Sequence, residues 1–226
     1  MKPSKLYYNR HVGKRCVLVC NGPSLNKMDL GFLKHEIVIG LNKIYLGLRR
    51  FGFYPRYYVA VNKKVIEQSA NEIADLASVK FISDRGKHLI VDDPLTNIIR
   101  TKDYARDFSF DIGDGVQEGY TVTYAALQIA FYLGFSKVVI IGMDHRFSYE
   151  GKPNEEKLHV GDDMNHFTTG YFKGHKWDNP DLVNSERYYK IAKTVFEQNG
   201  REIIDATVDG ACPIFKKMNY EQLFKS

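Results

Sequence analysis

The apolar positions of the chain fall in short unbroken runs that stop abruptly at small or polar residues. Arg15-Cys16-Val17-Leu18-Val19-Cys20 ends at Asn21-Gly22-Pro23-Ser24, Ile37-Val38-Ile39-Gly40-Leu41 at Asn42, and Tyr57-Tyr58-Val59-Ala60-Val61 at Asn62. Val79-Lys80-Phe81-Ile82-Ser83 is a further run, as are Val138-Val139-Ile140-Ile141, before Gly142-Met143-Asp144, and Glu202-Ile203-Ile204-Asp205. Runs that are apolar at successive positions, not alternate ones, fit strands buried on both faces, as in a parallel sheet covered by helices. Helical periods lie between them. Lys63 to Ala77 places Val65, Ile66, Ile73 and Leu76 near helical spacing, and Thr121 to Leu133 offers Ala125, Ala126, Ile129 and Ala130 for close packing, with Gly134 as its cap. A third helix is predicted from about Asn184 to Gln198, ended by Asn199-Gly200.

This alternation predicts an α/β fold, a Rossmann-like doubly wound and mostly parallel sheet. A length of 226 residues suits one domain over residues 1–226. Two stretches interrupt the pattern. Gly86 to Glu118, rich in Asp and Gly, reads as loops with one short strand. Ser148 to Asp181 is polar with no strand or helix period, and a loop of that length in a compact domain is usually a lid or a binding loop, here an insertion over about 148–181.

Composition narrows the setting. The chain can bury a sizeable core without staples. Its three cysteines, Cys16, Cys20 and Cys212, do not make a disulfide framework. On one strand Cys16 and Cys20 would stand about 13 Å apart, too far to bridge, so they read as buried hydrophobes of a reducing compartment. The 15 tyrosines and 14 phenylalanines serve either a sugar- or base-binding platform or aromatic core packing. A formal charge of +5 suits an anionic substrate or an ordinary basic surface. No nucleic-acid-binding motif is present, and nucleic acid is not expected as a partner. Lys2, Lys5, Arg10, Lys14 and Arg15 form either a solvated edge or a contact for an anionic membrane. No apolar run approaches a membrane span, and Met1 to Val12 lacks a signal-peptide core, so a cytoplasmic protein is expected, with peripheral contact at the inner face of the membrane. A homo-oligomer remains open.

In an open parallel sheet, ligands bind outside the carboxyl ends of the strands. The Asn21-Gly22-Pro23-Ser24 step is the best candidate. Gly22 lets the backbone approach a ligand, Pro23 fixes φ, and Ser24 opens a helical turn whose N–H groups form an anion cradle. The plainer reading is a strand-to-helix turn capped by Ser24 or Asn26. Neither G-x-G-x-x-G nor G-x-x-x-x-G-K-[ST] is present. Asn42 offers a hydrogen bond to a base, ribose or phosphate, or is a turn residue. Asp144, after Gly142, would hold ribose hydroxyls, orient a ligand or bind a metal, or cap its own turn. The long loop carries His159, Asp162, Asp163, Asn165, His166, His175 and Trp177. His166, beside Phe167, Tyr171 and Phe172, fits a general base, or is a solvated loop histidine. The Asp/His set lacks a standard metal-ligand spacing.

As a set, Cys20-Asn21-Gly22-Pro23-Ser24-Leu25, Leu41-Asn42-Lys43-Ile44-Tyr45 and Leu133-Gly134-Phe135 with Ile140-Ile141-Gly142-Met143-Asp144 resemble the bacterial sialyltransferases of glycosyltransferase family 42. They resemble equally a bacterial family of surface-polysaccharide and flagellin-glycosylation proteins labelled 6-hydroxymethylpterin diphosphokinase-like. To the latter the tail is also similar, through Asn165-His166-Phe167, Tyr171-Phe172, Trp177, Glu186 and Asp205-Ala206-Thr207. The resemblance spans roughly Arg15 to Phe224. It implies a CMP-sugar bound along the strand ends beneath a lid. Asn21, Gly22 and Ser24 would meet the phosphate, with Pro23 part of the same nucleotide-binding step, Asn42 the nucleotide, Thr121 and Thr123 the ribose or base side, and Gly142 and Asp144 the same cleft. His166 would deprotonate the acceptor hydroxyl, with inversion and no cofactor or metal required. The sialyltransferases carry tyrosines after the Gly-x-Asp step. His145-Arg146-Phe147-Ser148-Tyr149 stands there in this chain, with Arg146 to supply charge, Tyr149 a hydroxyl, and His175 as a competitor for the base.

Three functions follow as alternatives. The first is a glycosyltransferase acting from a CMP-activated acidic sugar onto a glycan acceptor in surface-polysaccharide (lipopolysaccharide or capsule) assembly. The second is a diphosphokinase moving a pyrophosphoryl group from ATP to a hydroxymethyl-pterin-like alcohol with Mg²⁺, for which the dense acidic spots are Asp111/Asp114 and Asp162/Asp163. The third is a nucleotide-sugar-binding protein without turnover.

Overall fold

The computed structural model describes residues 3–91, 93–102 and 107–224. Lys2 of the basic stretch, and positions 92 and 103–106 of the Asp- and Gly-rich segment, lie outside the described residues. The chain begins with α1 (Pro3–Tyr7), β1 (Arg15–Val19), β2 (Val38–Leu41), α2 (Leu48–Phe51), β3 (Tyr57–Ala60), α3 (Lys63–Gln68), α4 (Ala70–Ala74) and β4 (Val79–Ser83). It continues through β5 (Thr96–Ile99), β6 (Thr101–Lys102), β7 (Val116–Gln117), α5 (Val122–Tyr132), β8 (Lys137–Ile141), β9 (Glu156–Leu158) and β10 (Lys176–Asp178). Last come α6 (Leu182–Gln198), β11 (Glu202–Asp205), β12 (Lys216–Lys217) and α7 (Tyr220–Phe224).

Eight strands form one sheet in the order β12-β11-β8-β1-β2-β3-β4-β5, with every neighbouring pair parallel. The expected doubly wound α/β architecture is therefore observed. Leu18 on β1 lies opposite Ile39 on one side and Ile140 on the other. From β1 the chain steps outward to β5 in one direction, and from β8 to β12 in the other, so the order reverses between β1 and β8. Alternate residues of each strand feed two cores. Cys16, Leu18, Ile39, Val59 and Ile140 pack beneath α5 and α6, whereas Val17, Val19, Val38, Ala60 and Ile141 face Leu25, Ile44, Ile66 and Ile73. This explains why the strands read as unbroken apolar runs. Helix α5 runs through the interior, with every residue from Thr123 to Tyr132 buried. The three cysteines are free and buried.

The structure corrects several local expectations. The period over Lys63 to Ala77 is two helices, α3 and α4, because Ser69 breaks it with φ −138° and ψ 20°. Its buried hydroxyl accepts from the Tyr45 phenol at 2.7 Å. Among its described residues the Asp- and Gly-rich segment holds three strands where one was expected, of which β5 is a sheet edge and β6 pairs with β7. Gln128 of α5 fixes β7 from inside the core, its Oε1 accepting from the Ser109 and Gln117 amides and its Nε2 donating to the Gln117 carbonyl. The long polar stretch contains an antiparallel ribbon, β9 with β10.

Candidate functional site

A cavity of about 240 Å³ opens over the carboxyl ends of β1, β2, β3 and β8, at the point where strand order reverses. Its position is the one the parallel-sheet rule gives, and its size is near the lower end for small-molecule sites. Asn21 and Gly22 follow β1, Asn42 follows β2, Asn62 follows β3 and Gly142 to His145 follow β8, all on its floor. Tyr120 to Thr123 enter at the start of α5. Residues 147–178 supply a roof through Phe147, Asn165, His166, Tyr171, Phe172 and Trp177.

The Asn21-Gly22-Pro23-Ser24 step is built differently from its motif reading. Pro23–Lys27 is one tight 3₁₀ turn. The Ser24 amide donates to Asp144 Oδ1 at 3.0 Å and the Ser24 hydroxyl to Oδ2 at 2.6 Å, while the Leu25 amide donates to the Gly22 carbonyl. Asp144 thus occupies the cradle expected for an external anion, and neither Pro23 nor Ser24 lines the cavity. Burial raises the Asp144 pKa, with the Ser24 hydrogen bonds opposing it. The backbone at Gly22 makes its close approach to the β8 end: a Cβ there would collide with the Asp144 carboxylate and lie 2.7 Å from the Gly142 carbonyl. Gly142 itself has φ +71°, and a Cβ on it would meet Leu25 at 2.8 Å.

Asn21 and Asn42 do reach the cavity together. Asn21 Nδ2 donates to the Leu41 carbonyl at 3.1 Å, which leaves its Oδ1 buried without a partner. Asn42, at φ +46°, likewise has a buried unpartnered Oδ1. Two buried acceptors without donors on one cavity wall are costly unless a ligand or water supplies hydrogens. Thr121 caps α5, its hydroxyl accepting from the Thr123 amide, and it also meets the Tyr189 phenol at 3.2 Å. The Thr123 hydroxyl lies 3.6 Å from Cys20 Sγ. Both threonines line the cavity while serving these structural roles.

In the roof, His166 Nδ1 sits 2.9 Å from Asp163 Oδ2 and its ring stacks on Tyr171, with centroids 3.9 Å apart and planes at 4°. A carboxylate only accepts, so Nδ1 carries the hydrogen and the neutral ring keeps its lone pair on Nε2. Burial works against the Asp163 charge, but His166 and the Asn165 amide outweigh it and hold the carboxyl below the usual range. The roof is tied to the floor by the Phe167 amide on the Asn21 carbonyl (2.9 Å) and Asn26 on the Phe167 carbonyl (2.9 Å). Lys43 Nζ donates to the Tyr171 carbonyl (3.0 Å). Lys64 adds ion pairs to Glu156 and Asp178.

Three other sequence candidates fall outside the cavity. Arg146 is exposed, the Tyr149 hydroxyl donates to the Pro180 carbonyl at 3.1 Å, and His175 is exposed. In their place stands His145, which the sequence reading left without a role. It lines the cavity at φ +54°, with Nε2 2.9 Å from Glu186 Oε1. Its one sequence signal is its place directly after a strand-end Gly-Met-Asp step. The partner Glu186 lies 41 positions away and could not be paired with it by spacing. Among the described residues no three His, Cys, Asp or Glu side chains gather as a metal site.

Residues 2–150 match the family model described as 6-hydroxymethylpterin diphosphokinase MptE-like, and the chain belongs to that family. The matched region contains the strand-end loops of β1, β2, β3 and β8 and ends at residue 150, within the segment that supplies the roof. No curated protein matches the chain. Among solved structures, the MAf glycosyltransferase from Magnetospirillum magneticum AMB-1 shares the fold, with a TM-score of 0.57 and 12% identity. The superposition covers 95% of this chain and 35% of that one, so this chain spans about a third of that protein's length.

Proposed function

We propose that this family member is a glycosyltransferase. It would take an acidic sugar, such as sialic acid, from a CMP-activated donor and place it on a glycan acceptor with inversion, in surface-polysaccharide synthesis. The observation that carries the reading is the Asp163–His166 pair at the switch-point cavity. Asp163 holds the Nδ1 hydrogen, so Nε2 is the ring atom that accepts a proton from an acceptor hydroxyl. The unpartnered amide oxygens of Asn21 and Asn42 suit the hydroxyl or amino hydrogens of a nucleoside. The fold shared with the MAf glycosyltransferase supports the same class. The family's name favours a second reading, pyrophosphoryl transfer from ATP with Mg²⁺.

A thermal-shift panel of CMP, CDP, UDP, GDP and ATP, each with and without Mg²⁺, separates the readings, because a ligand of the native state raises its stability by mass action. Stabilisation by CMP without metal, weakened in Asn21→Ala, is expected. Turnover of a CMP-sugar should then fall about 10²- to 10⁴-fold in His166→Asn and Asp163→Asn while CMP still binds. Stabilisation by ATP with Mg²⁺ alone would replace this reading with the diphosphokinase. CMP binding with no turnover of any CMP-sugar would leave a binding protein.

A further inference from the structure

The cavity holds two histidine–carboxylate pairs, and the proposed reaction has so far used one. His166 with Asp163 belongs to the roof, and His145 with Glu186 belongs to the floor. His145 is 9% exposed. The two residues before it are fixed, by the Met143 amide on the Thr207 hydroxyl (3.0 Å) and by the Ala211 amide on the Asp144 carbonyl (2.9 Å). The left-handed backbone at φ +54° is uncommon for a side-chain-bearing residue, and such backbone recurs at functional sites. Tyr189 connects this histidine to the start of α5: its ring lies 6.1 Å from the His145 ring and its hydroxyl 3.2 Å from the Thr121 hydroxyl. Tyr189 thus stands between the imidazole and the Thr121 cap of α5.

A donor phosphate needs a positive or hydrogen-donating partner in this cavity. The expected cradle at Ser24 is filled by the Asp144 carboxylate. Lys64 and Lys176, which also line the cavity, are engaged with Glu156, and Lys64 with Asp178 as well. His166 serves the acceptor side. His145 remains, with Nε2 directed to Glu186 and Nδ1 as the ring atom for a ligand. Asn21, 8% exposed, lines the same cavity, and its amide oxygen has no partner within the protein.

We propose that His145, positioned by Glu186, is the residue that grips the donor's phosphate, a role that rests on the nucleotide-sugar reading above. Nε2–H is donated to Glu186, and as the anionic donor binds, Nδ1 takes up a proton from solvent and donates it as a hydrogen bond to a phosphate oxygen. In the transfer step the acceptor oxygen gives its proton to His166 Nε2 and bonds to the anomeric carbon. The bond from that carbon to the phosphate oxygen breaks, its electron pair stays on the phosphate, and the Nδ1–H hydrogen bond stabilises the added charge.

The test compares nucleoside monophosphates with the matching nucleosides (CMP with cytidine, UMP with uridine, AMP with adenosine) by calorimetry on the full chain. Wild type is expected to bind the monophosphate at least tenfold tighter, the scale of one hydrogen bond to a charged group. His145→Asn, chosen because Asn tolerates the left-handed backbone, should erase most of that ratio and leave nucleoside affinity unchanged. Glu186→Gln should lower it several-fold, and melting curves without ligand confirm that both variants fold. A monophosphate-to-nucleoside ratio unchanged from wild type in both variants would overturn the assignment. Equal loss of nucleoside and monophosphate binding would also overturn it, by making His145 a support for the cavity as a whole. If wild type binds no nucleoside or monophosphate, the nucleotide-sugar reading itself fails, and this assignment with it.

Discussion

On the floor of the cavity, every residue from Cys16 to Val19 and from Val138 to Ile141 is buried, and each loop begins where a sheet ladder ends. Above it, residues 150–156 are all exposed, and the regular structure is two strands of three residues. The roof holds through an aromatic cluster of His166, Tyr171, Phe172 and Trp177 and through polar ties to Asn21, Asn26, Lys43 and Lys64. A segment secured by side chains over a finished core can open locally at less than the cost of global unfolding, whereas strand ends cannot move without the sheet. The site thus pairs a rigid surface carrying His145 with a separable one carrying His166.

Truncation on each side breaks this comparison most forcibly. Ile140→Ala removes a fully buried side chain of β8 and should lower global stability by about 2–5 kcal/mol in denaturant titration. Trp177→Ala should instead accelerate hydrogen exchange across residues 148–181, with a much smaller shift of the global midpoint. Equal global losses for the two variants would mean that floor and roof unfold as one unit.

A smaller effect comes from Gly22→Ala. Its Cβ must displace the Asp144 carboxylate and press on the Gly142 carbonyl, an overpacking expected to cost about 1–3 kcal/mol. The loss should appear without any ligand present, since the crowding is between two strand-end loops. Unchanged stability would return Gly22 to the ligand-approach role that its motif suggested.

The acid response sharpens the same contrast with the smallest effects. His11, buried against Phe135 and 2.7 Å from the Tyr57 hydroxyl, has its pKa lowered to about 4, chiefly by burial and then by the charges of Arg56, Lys14 and Arg10. The unfolded chain binds that proton first, so global stability is full above the ordinary value of 6.5 and falls until about pH 4. His11→Gln should remove this slope from melting curves. Glu156 of the roof is lowered to about 2 by hydrogen bonds from Lys176 and then Lys64. Its contribution is present above 4.5 and is lost as the pH falls towards 2. Exchange of β9 and β10 should therefore rise only below about pH 4.5, be sensitive to salt, and lose that dependence in Glu156→Gln.

The sequence by itself determined the six inner strands of the sheet, and not its edges β5 and β12. Val79–Ser83 and Glu202–Asp205 coincide with the observed strands, and β1, β2, β3 and β8 differ from expectation by one residue at an end, because burial on both faces leaves an unbroken apolar run. It also pointed to the ends of β1, β2 and β8 and to Asn21, Asn42 and His166, which the fold brings to one cavity. Tertiary structure decided the partnerships. Asp144 fills the Ser24 turn from 120 positions away, and Glu186 reaches His145 across 41, distances along the chain at which local propensity carries no information. The same holds for the roof, whose ribbon pairs Glu156–Leu158 with Lys176–Asp178 through segments too short and polar to show a period. Local pattern specifies which residues are buried, and only the closed fold specifies which polar groups are left facing one another.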